Sequence, residues 1–191
     1  MNGRWDSLHA ECDSCSRCPL SRSRAAPVLG CGSRDARMMM VGGHPSVADE
    51  RRGRPFAGPP GRLLDLALTS LGIAPGSVYM ANVIKCRTPS DRDPFAEEAD
   101  SCLPYLRAQF TLVRPEIIVC LGEFASKRLM GPDFSFHADR GVWSERKGVR
   151  MAATFHPADA VRGGSVKEAL WLDLKGAKAL LSGQGPGGQA K

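Results

Sequence analysis

The 191-residue chain is predicted to fold as an α/β protein, a three-layer α/β/α sandwich with a central, mainly parallel four-stranded sheet. Three observations lead there. Four apolar runs are each of strand length, helix-patterned segments lie between or after them, and the runs read as strands buried on both faces. In chain order the first strand is "RMMMVGG" (37–43), followed by a helical pattern over 60–72. "VYMANVI" (78–84) is the second strand and 95–112 the next helix. "EIIVCLG" (116–122) leads into a helix at 123–130, and "RMAATFH" (150–156) precedes the last helix at 166–181. In that helix Leu170, Leu174, Ala177 and Leu181 recur at helical spacing, which marks a core face. One domain over 1–181 is expected, with the Gly-rich "SGQGPGGQAK" (182–191) a disordered tail.

Parallel α/β sheets bind ligands at the carboxyl ends of their strands. That rule brings three loops to one site: "GGHPSVADE" after the first strand, "NVIKCRTPSD" after the second and "FHPAD" after the fourth.

Composition narrows the classes. With 42% hydrophobic and 24% charged residues the chain reads as a soluble globular protein, and no apolar run is long enough to span a membrane. The opening "MNGRWDSLHAEC" has no apolar signal core, so a cytoplasmic location is expected, where thiols stay reduced. Seven cysteines, an odd number, also argue against a disulfide framework. Lys and Arg total 26 against 20 acids, a net charge of +6. That balance is compatible with a polyanionic partner and equally with generic solubilising charge; local excess is modest, at "RSR" (22–24) and "RRGR" (51–54).

"CDSCSRC" (12–18) spaces three cysteines by three. Cys15 and Cys18 form a CxxC pair, and Cys86 and Cys102 follow as singles. Four thiolates suit either tetrahedral zinc or an iron–sulfur cluster, and unligated thiols stay open as well. Cys12 is an equal candidate for the place of Cys15, since its spacing to Cys15 is also CxxC. Cys31 is unassigned, and Cys120 within "IIVCLG" reads as a small buried apolar residue.

Several motifs in order, "CSRCPLSRSRAAPVLGCG", "GRPFAGPPGRLLD", "VYMANVIKCRTP", "CLPYLRAQFTLVRPEIIVCLGEFA" and "ATFHPAD", resemble the family 4 uracil-DNA glycosylases. These are the iron–sulfur branch of the uracil-DNA glycosylase superfamily, and the resemblance runs from about Cys15 to Leu181. It implies a uracil-DNA glycosylase-like fold and a [4Fe–4S] cluster on Cys15, Cys18, Cys86 and Cys102, leaving Cys12 out. It further implies a DNA repair enzyme that flips uracil out of DNA and hydrolyses the N-glycosidic bond, leaving an abasic site. The expected partner is uracil-containing DNA, single- or double-stranded, bound by a monomer. No lysine occupies a Schiff-base position, so a monofunctional enzyme is expected.

The same resemblance assigns roles. Asn82 would accept from uracil N3–H and donate to O4, a pattern that cytosine reverses. Phe56 in "GRPFAG" would stack on the flipped base, and His156 in "FHP" would donate to O2 as uracil leaves as an anion. Arg162 lies in "ADAVRGG" (158–164), which resembles the family's loop that enters the DNA groove.

One motif departs. The family's Gly-Glu-Ala-Pro-Gly is "GGHPS" (42–46) here, so Gly43 stands where a carboxylate is expected. Backbone amides at Gly42, Gly43 and His44 remain available to uracil, and His44 is the candidate replacement for positioning water. Asp49 and Glu50 are close in sequence, with nothing to place them inward. A branch that traps its product through a histidine in an inserted loop is not matched by "RTPSDRDPF" (87–95). Three alternatives stand beside uracil excision: a glycosylase for another deaminated or modified base, a catalytically weak lesion-binding protein, and a redox protein. The last leaves Asn82, Phe56 and His156 unexplained.

Overall fold

A computed structural model describes residues 2–184. Its sheet has six strands: β1 (Cys31–Gly32), β2 (Met38–Gly42), β3 (Val78–Asn82), β4 (Ile117–Leu121), β5 (Ser144–Arg146) and β6 (Val149–Thr154), in the order β1-β3-β2-β4-β6-β5. The four expected strands form the parallel centre, with Met40 level with Met80 and Val119. The expectation of four strands is corrected by β1 and β5, which pair antiparallel at the two edges. Neither has an apolar run to announce it: β1 is two residues long and β5, "SER", is exposed throughout. Both short strands cover the edges of the parallel core.

Successive side chains of a strand face opposite layers, and β2 shows this directly. Met38 and Met40 pack with Leu64 and Leu68 of α3 (Pro59–Ser70) and with Leu170, Leu174 and Ala177 of α8 (Ser165–Leu181). Met39 and Val41 face the other layer, with Leu106 and Tyr105 of α4 (Ala96–Val113) and Ala125 of α5 (Glu123–Met130). These contacts make the three layers. In α8 the fourth buried position is Leu180, and Leu181 is only partly buried.

The structure adds α1 (Asn2–Asp13), which the sequence reading left unassigned. Trp5, Leu8 and Cys12 are buried along one face, and the Trp5 and Tyr79 rings stand 5.5 Å apart. Further short helices are α2 (Val47–Arg52), α6 (Phe136–Asp139) and α7 (Pro157–Ala160). The stretch expected to be a disordered tail begins with an ordered helix cap, Gly183 N–H donating to Leu180 O and Gln184 N–H to Ala179 O. The remainder of that stretch, 185–191, lies outside the described residues.

Candidate active site

The loops after β2, β3 and β6, joined by the segment after β4, meet at a cleft of about 590 Å³ whose walls include Gly43, His44, Asp49, Phe56, Asp91, His156 and Arg162. Asn82, the last residue of β3, lies behind it and is 1% exposed. Both polar atoms of its side chain, Oδ1 and Nδ2, are buried without a hydrogen-bond partner. Leaving such groups unpaired costs about 1–3 kcal/mol each, so the amide is held ready for a ligand rather than for the fold. Gly42 makes the room: a Cβ there would stand 2.6 Å from Asn82 Oδ1 and 2.8 Å from Phe56 Cζ.

Phe56 is held in an unusual backbone conformation, with φ at +54°. A non-glycine residue in that region costs on the order of 1–3 kcal/mol and persists only where its surroundings enforce it. Two features do so here. Asp49 Oδ1 accepts the N–H of Ala57 at 2.5 Å, and Gly61 packs so closely on the Phe56 carbonyl that a Cβ would collide with it. Asp49 in turn is fixed by a capping box at the start of α2, where its Oδ2 accepts from Ser46 N–H at 2.9 Å. The sequence left the direction of Asp49 undecided; the structure buries it on the cleft wall. Glu50 turns away, accepting from Ala25 N–H at 2.9 Å and pairing with Arg87 at 3.3 Å.

His156 caps α7, its Nδ1 accepting the N–H of Ala158 at 3.2 Å. The hydrogen of the ring is therefore on Nε2. Burial lowers the imidazole pKa from its usual 6.5, against a smaller raising effect from Asp159, so the ring is a neutral Nε2–H donor at physiological pH. Its centroid lies 5.7 Å from that of Phe56. His44 has the opposite arrangement. Its Nδ1 faces the Pro45 carbonyl at 3.2 Å and Thr88 Oγ1 at 3.4 Å, and the Thr88 hydroxyl already donates to Arg92 O at 2.6 Å. A carbonyl only accepts, so Nδ1 carries a hydrogen and Nε2 is left as the atom that can accept from water.

At Gly43 a Cβ would lie 3.3 Å from Phe124 Cδ1, and the backbone is not in the left-handed region. The loop is tied to the chain beyond β3 by Val83 N–H to Gly42 O at 2.8 Å and Ile84 N–H to Gly43 O at 3.0 Å. Arg162 is exposed on the rim. A larger, mainly apolar groove lies between α3 and α8, away from these side chains.

The cysteines form a second centre. Cys12, Cys15, Cys18, Cys86 and Cys102 all line one small cavity, together with Arg24 and Lys85. Arg24 donates to Cys86 Sγ at 3.1 Å and to the carbonyls of Cys12, Asp13 and Cys15 at 3.3, 2.8 and 3.0 Å. It belongs to this centre and not to a surface patch, although the sequence shows it only as part of "RSR". The backbone N–H of Lys85 donates to Cys102 Sγ at 3.2 Å. Burial pushes the Cys102 thiol up to about 11 and Cys12 to about 12, so without a metal these thiols stay protonated. Among the described residues no three donors are placed to close on one ion. A cubane takes each thiolate on a different iron, so its ligands stand further apart than those of a single zinc. Five thiols line the cavity, one more than a cluster takes, with two adjacent cations and N–H groups aimed at sulfur, and Cys15, Cys18, Cys86 and Cys102 among them fit such a cluster. Cys120 is buried in β4, as its apolar surroundings imply, and Cys31 lies in β1.

Residues 29–175 match the model of the Uracil DNA glycosylase superfamily. The chain belongs to the uracil-DNA glycosylase superfamily. A type-4 uracil-DNA glycosylase of Pyrobaculum aerophilum is 34% identical, over 87% of this chain and 89% of its own. The type-4 uracil-DNA glycosylase of Archaeoglobus fulgidus is 34% identical, over 89% of each chain. That of Sulfurisphaera tokodaii is 36% identical, over 89% of this chain and 81% of its own.

In this superfamily member the structure gathers Gly43, His44, Phe56, His156 and Arg162 around one cleft, with Gly42 and Asn82 behind it. Cys15, Cys18, Cys86 and Cys102 come together elsewhere, and Cys12, which the resemblance left out, lines the same cavity. Gly61, Arg24 and Lys85 are the neighbours of these sites that sequence reasoning missed, and Asp49 is the one it named without placing. Only Asp49 carried a signal, as the third residue after Ser46 in a capping box.

Proposed function

We propose that the chain is a monofunctional uracil-DNA glycosylase that releases uracil from DNA and leaves an abasic site. The observation that carries this reading is the buried, unpartnered amide of Asn82 beside Phe56. Uracil N3–H donates to Oδ1 and Nδ2 donates to O4, which satisfies both orphaned atoms. Cytosine offers an acceptor at N3 and a donor at N4, and would leave them opposed. Phe56 stacks on the flipped ring, worth about 1–3 kcal/mol.

As the C1′–N1 bond breaks, its electron pair passes into the uracil ring and negative charge grows on O2. The Nε2–H of His156 donates to that oxygen and stabilises charge that develops only in the transition state. A water molecule held by Nε2 of His44 adds to C1′, and its proton passes to that nitrogen. Arg162 on the rim takes a phosphate of the DNA backbone. Cys15, Cys18, Cys86 and Cys102 would hold a [4Fe–4S] cluster, whose iron–thiolate bonds would cross-link the segments that carry them. The protein acts as a monomer in the cytoplasm.

The test is excision from uracil-containing oligonucleotides, single- and double-stranded, with alkali to reveal abasic sites. Breaks only at uracil are expected. Binding without breaks would make the chain a lesion-binding protein, and breaks at hypoxanthine in place of uracil would change the base. Anaerobically purified protein should be brown with about four irons per chain. Zinc without iron would overturn the cluster assignment.

A further inference from the structure

Lys85 is the only buried cation among the described residues, 1% exposed, and no carboxylate pairs with it. Its Nζ donates to the Asn82 carbonyl at 2.6 Å and to Gln109 Oε1 at 2.6 Å. Gln109 is itself fixed, its Nε2 donating to Leu29 O at 2.8 Å and to Tyr79 OH at 2.9 Å. At its other end Lys85 gives its backbone N–H to Cys102 Sγ, and Cys86 is the next residue. Lys85 thus bridges the two regions, its backbone N–H on the cysteine centre and its Nζ on the strand end that presents the base-reading amide.

A sealed ammonium without a counter-charge is strongly unfavourable. The acidic groups beside this one are the thiols of the cavity that Lys85 lines, Cys86 and Cys102 among them. Thiolates that hold a metal therefore also balance Lys85, and a balanced Lys85 pins the carbonyl of Asn82. We propose that Lys85 is a positioning residue that couples the cysteine centre to base recognition, so that the thiolate charge of the centre helps hold Asn82 in its uracil-reading position. The proposal rests on the function argued above, and goes beyond it by giving the centre a stated effect on the cleft.

Two variants of the full, iron-loaded chain test it. Lys85→Met keeps length and removes charge. It is expected to retain iron, to move the cluster's midpoint potential to more negative values, and to lower kcat/KM for uracil about tenfold, the lower end of what a charged hydrogen bond is worth. Gln109→Glu places a carboxylate at the ammonium and leaves Lys85 bonded to Asn82, at the loss of the donor to Leu29 O, while the Tyr79 hydroxyl can turn to donate to the carboxylate. It is expected to shift the midpoint in the same direction while kcat/KM stays within about threefold, since the bond to Asn82 is retained. Lys85→Met with iron and kcat/KM like the wild type would overturn the proposal, as would an unchanged midpoint in Gln109→Glu. Should Lys85→Met not fold, the Gln109→Glu midpoint decides. A wild-type chain with neither iron nor excision would instead overturn the functional reading, and this inference with it.

Discussion

Replacing Gly43 by Glu restores a side chain that the family places in this loop, and the structure says how the loop would take it. The backbone at Gly43 is outside the left-handed region, so a Cβ brings no conformational strain. Its nearest neighbour would be Phe124 Cδ1 at 3.3 Å, the edge of a partly buried ring that has to give by a few tenths of an ångström. Overpacking of this kind costs about 1–3 kcal/mol of stability, and each kcal/mol lowers the melting temperature of a chain this size by about 2–4 °C. General-base assistance is worth about 10²–10⁴-fold, or about 3–5 kcal/mol of barrier. The catalytic gain therefore exceeds the packing loss, and the two act on different observables. Single-turnover excision of uracil should rise at least about tenfold, a fraction of that full general-base range. Gly42→Ala is the control: its Cβ would meet Asn82 Oδ1 at 2.6 Å, and excision should fall. If Gly43→Glu folds and binds uracil-DNA normally yet gains nothing, position 43 has no role in water activation. His44→Ala then decides whether that role has passed to the neighbouring imidazole: a loss within the same 10²–10⁴ range supports it, and a silent variant removes it.

Asn82→Asp should lower uracil excision by at least about tenfold, because a carboxylate cannot donate to O4 and opposes the departing anion; equal rates would show that Asn82 does not read the base. His156→Ala should cost about 10²–10³-fold in kcat by loss of one oxyanion donor, measured on uracil oligonucleotides at saturation. The same side chain has a stability signature. Its folded pKa lies below the usual 6.5, so the unfolded chain binds the proton more readily, and stability present above that value is lost as pH falls below it. Urea midpoints of the wild type should thus drop more steeply below pH 6.5 than those of His156→Ala. Gly61→Ala should abolish most excision although Gly61 itself meets no base, since the new methyl must displace the turn that holds Phe56; wild-type kinetics would refute the role of that turn.

How much of this was legible depended on what each residue needed from the rest of the chain. The four parallel strands were visible because burial on both faces writes an unbroken apolar run, as in "MMMVG". The edge strands β1 and β5 bury little and so write nothing. Helix α1 did leave Trp5, Leu8 and Cys12 on one face, but three apolar positions among polar ones make a weak pattern in so short a segment. Asn82, Phe56 and His156 were recognisable from their motifs, and the three loops of the strand-end rule all reach the cleft, the second through Asp91. The orientation of Asp49 was not recognisable, because an acid three residues after a serine is fixed by a capping bond that forms only once α2 exists. Lys85 and Arg24 read as ordinary charges; the burial of Lys85 and the partial burial of Arg24 follow from the packing of α1 and α4 around the cysteines, which no local spacing records. The proton positions on the two histidines required their partners' geometry, Ala158 N–H in one case and Pro45 O in the other.

The departure at position 43 removes one side chain, and it does not remove negative charge from the cleft. Asp49, Asp91, Asp93, Glu123 and Asp159 all line it, against the single guanidinium of Arg162. Two of the five are partly offset, Glu123 by Lys127 at 2.7 Å and Asp91 by Arg87 at 4.0 Å. Asp49 is buried, where Coulomb interactions are least screened, and its bonds go to backbone N–H groups rather than to a cation. A sugar that turns cationic as uracil leaves therefore develops its charge in a field that already favours it. Water placement is different, because it needs an acceptor at one particular point and a diffuse field does not supply one. Of the two tasks a carboxylate at position 43 would perform, the electrostatic one is distributed over the cleft and the directional one falls to Nε2 of His44. Leaving-group stabilisation by His156 uses a separate donor, set by the cap of α7 and by burial, while Asp159, His44 and Asp49 all act on the charge of the same ring.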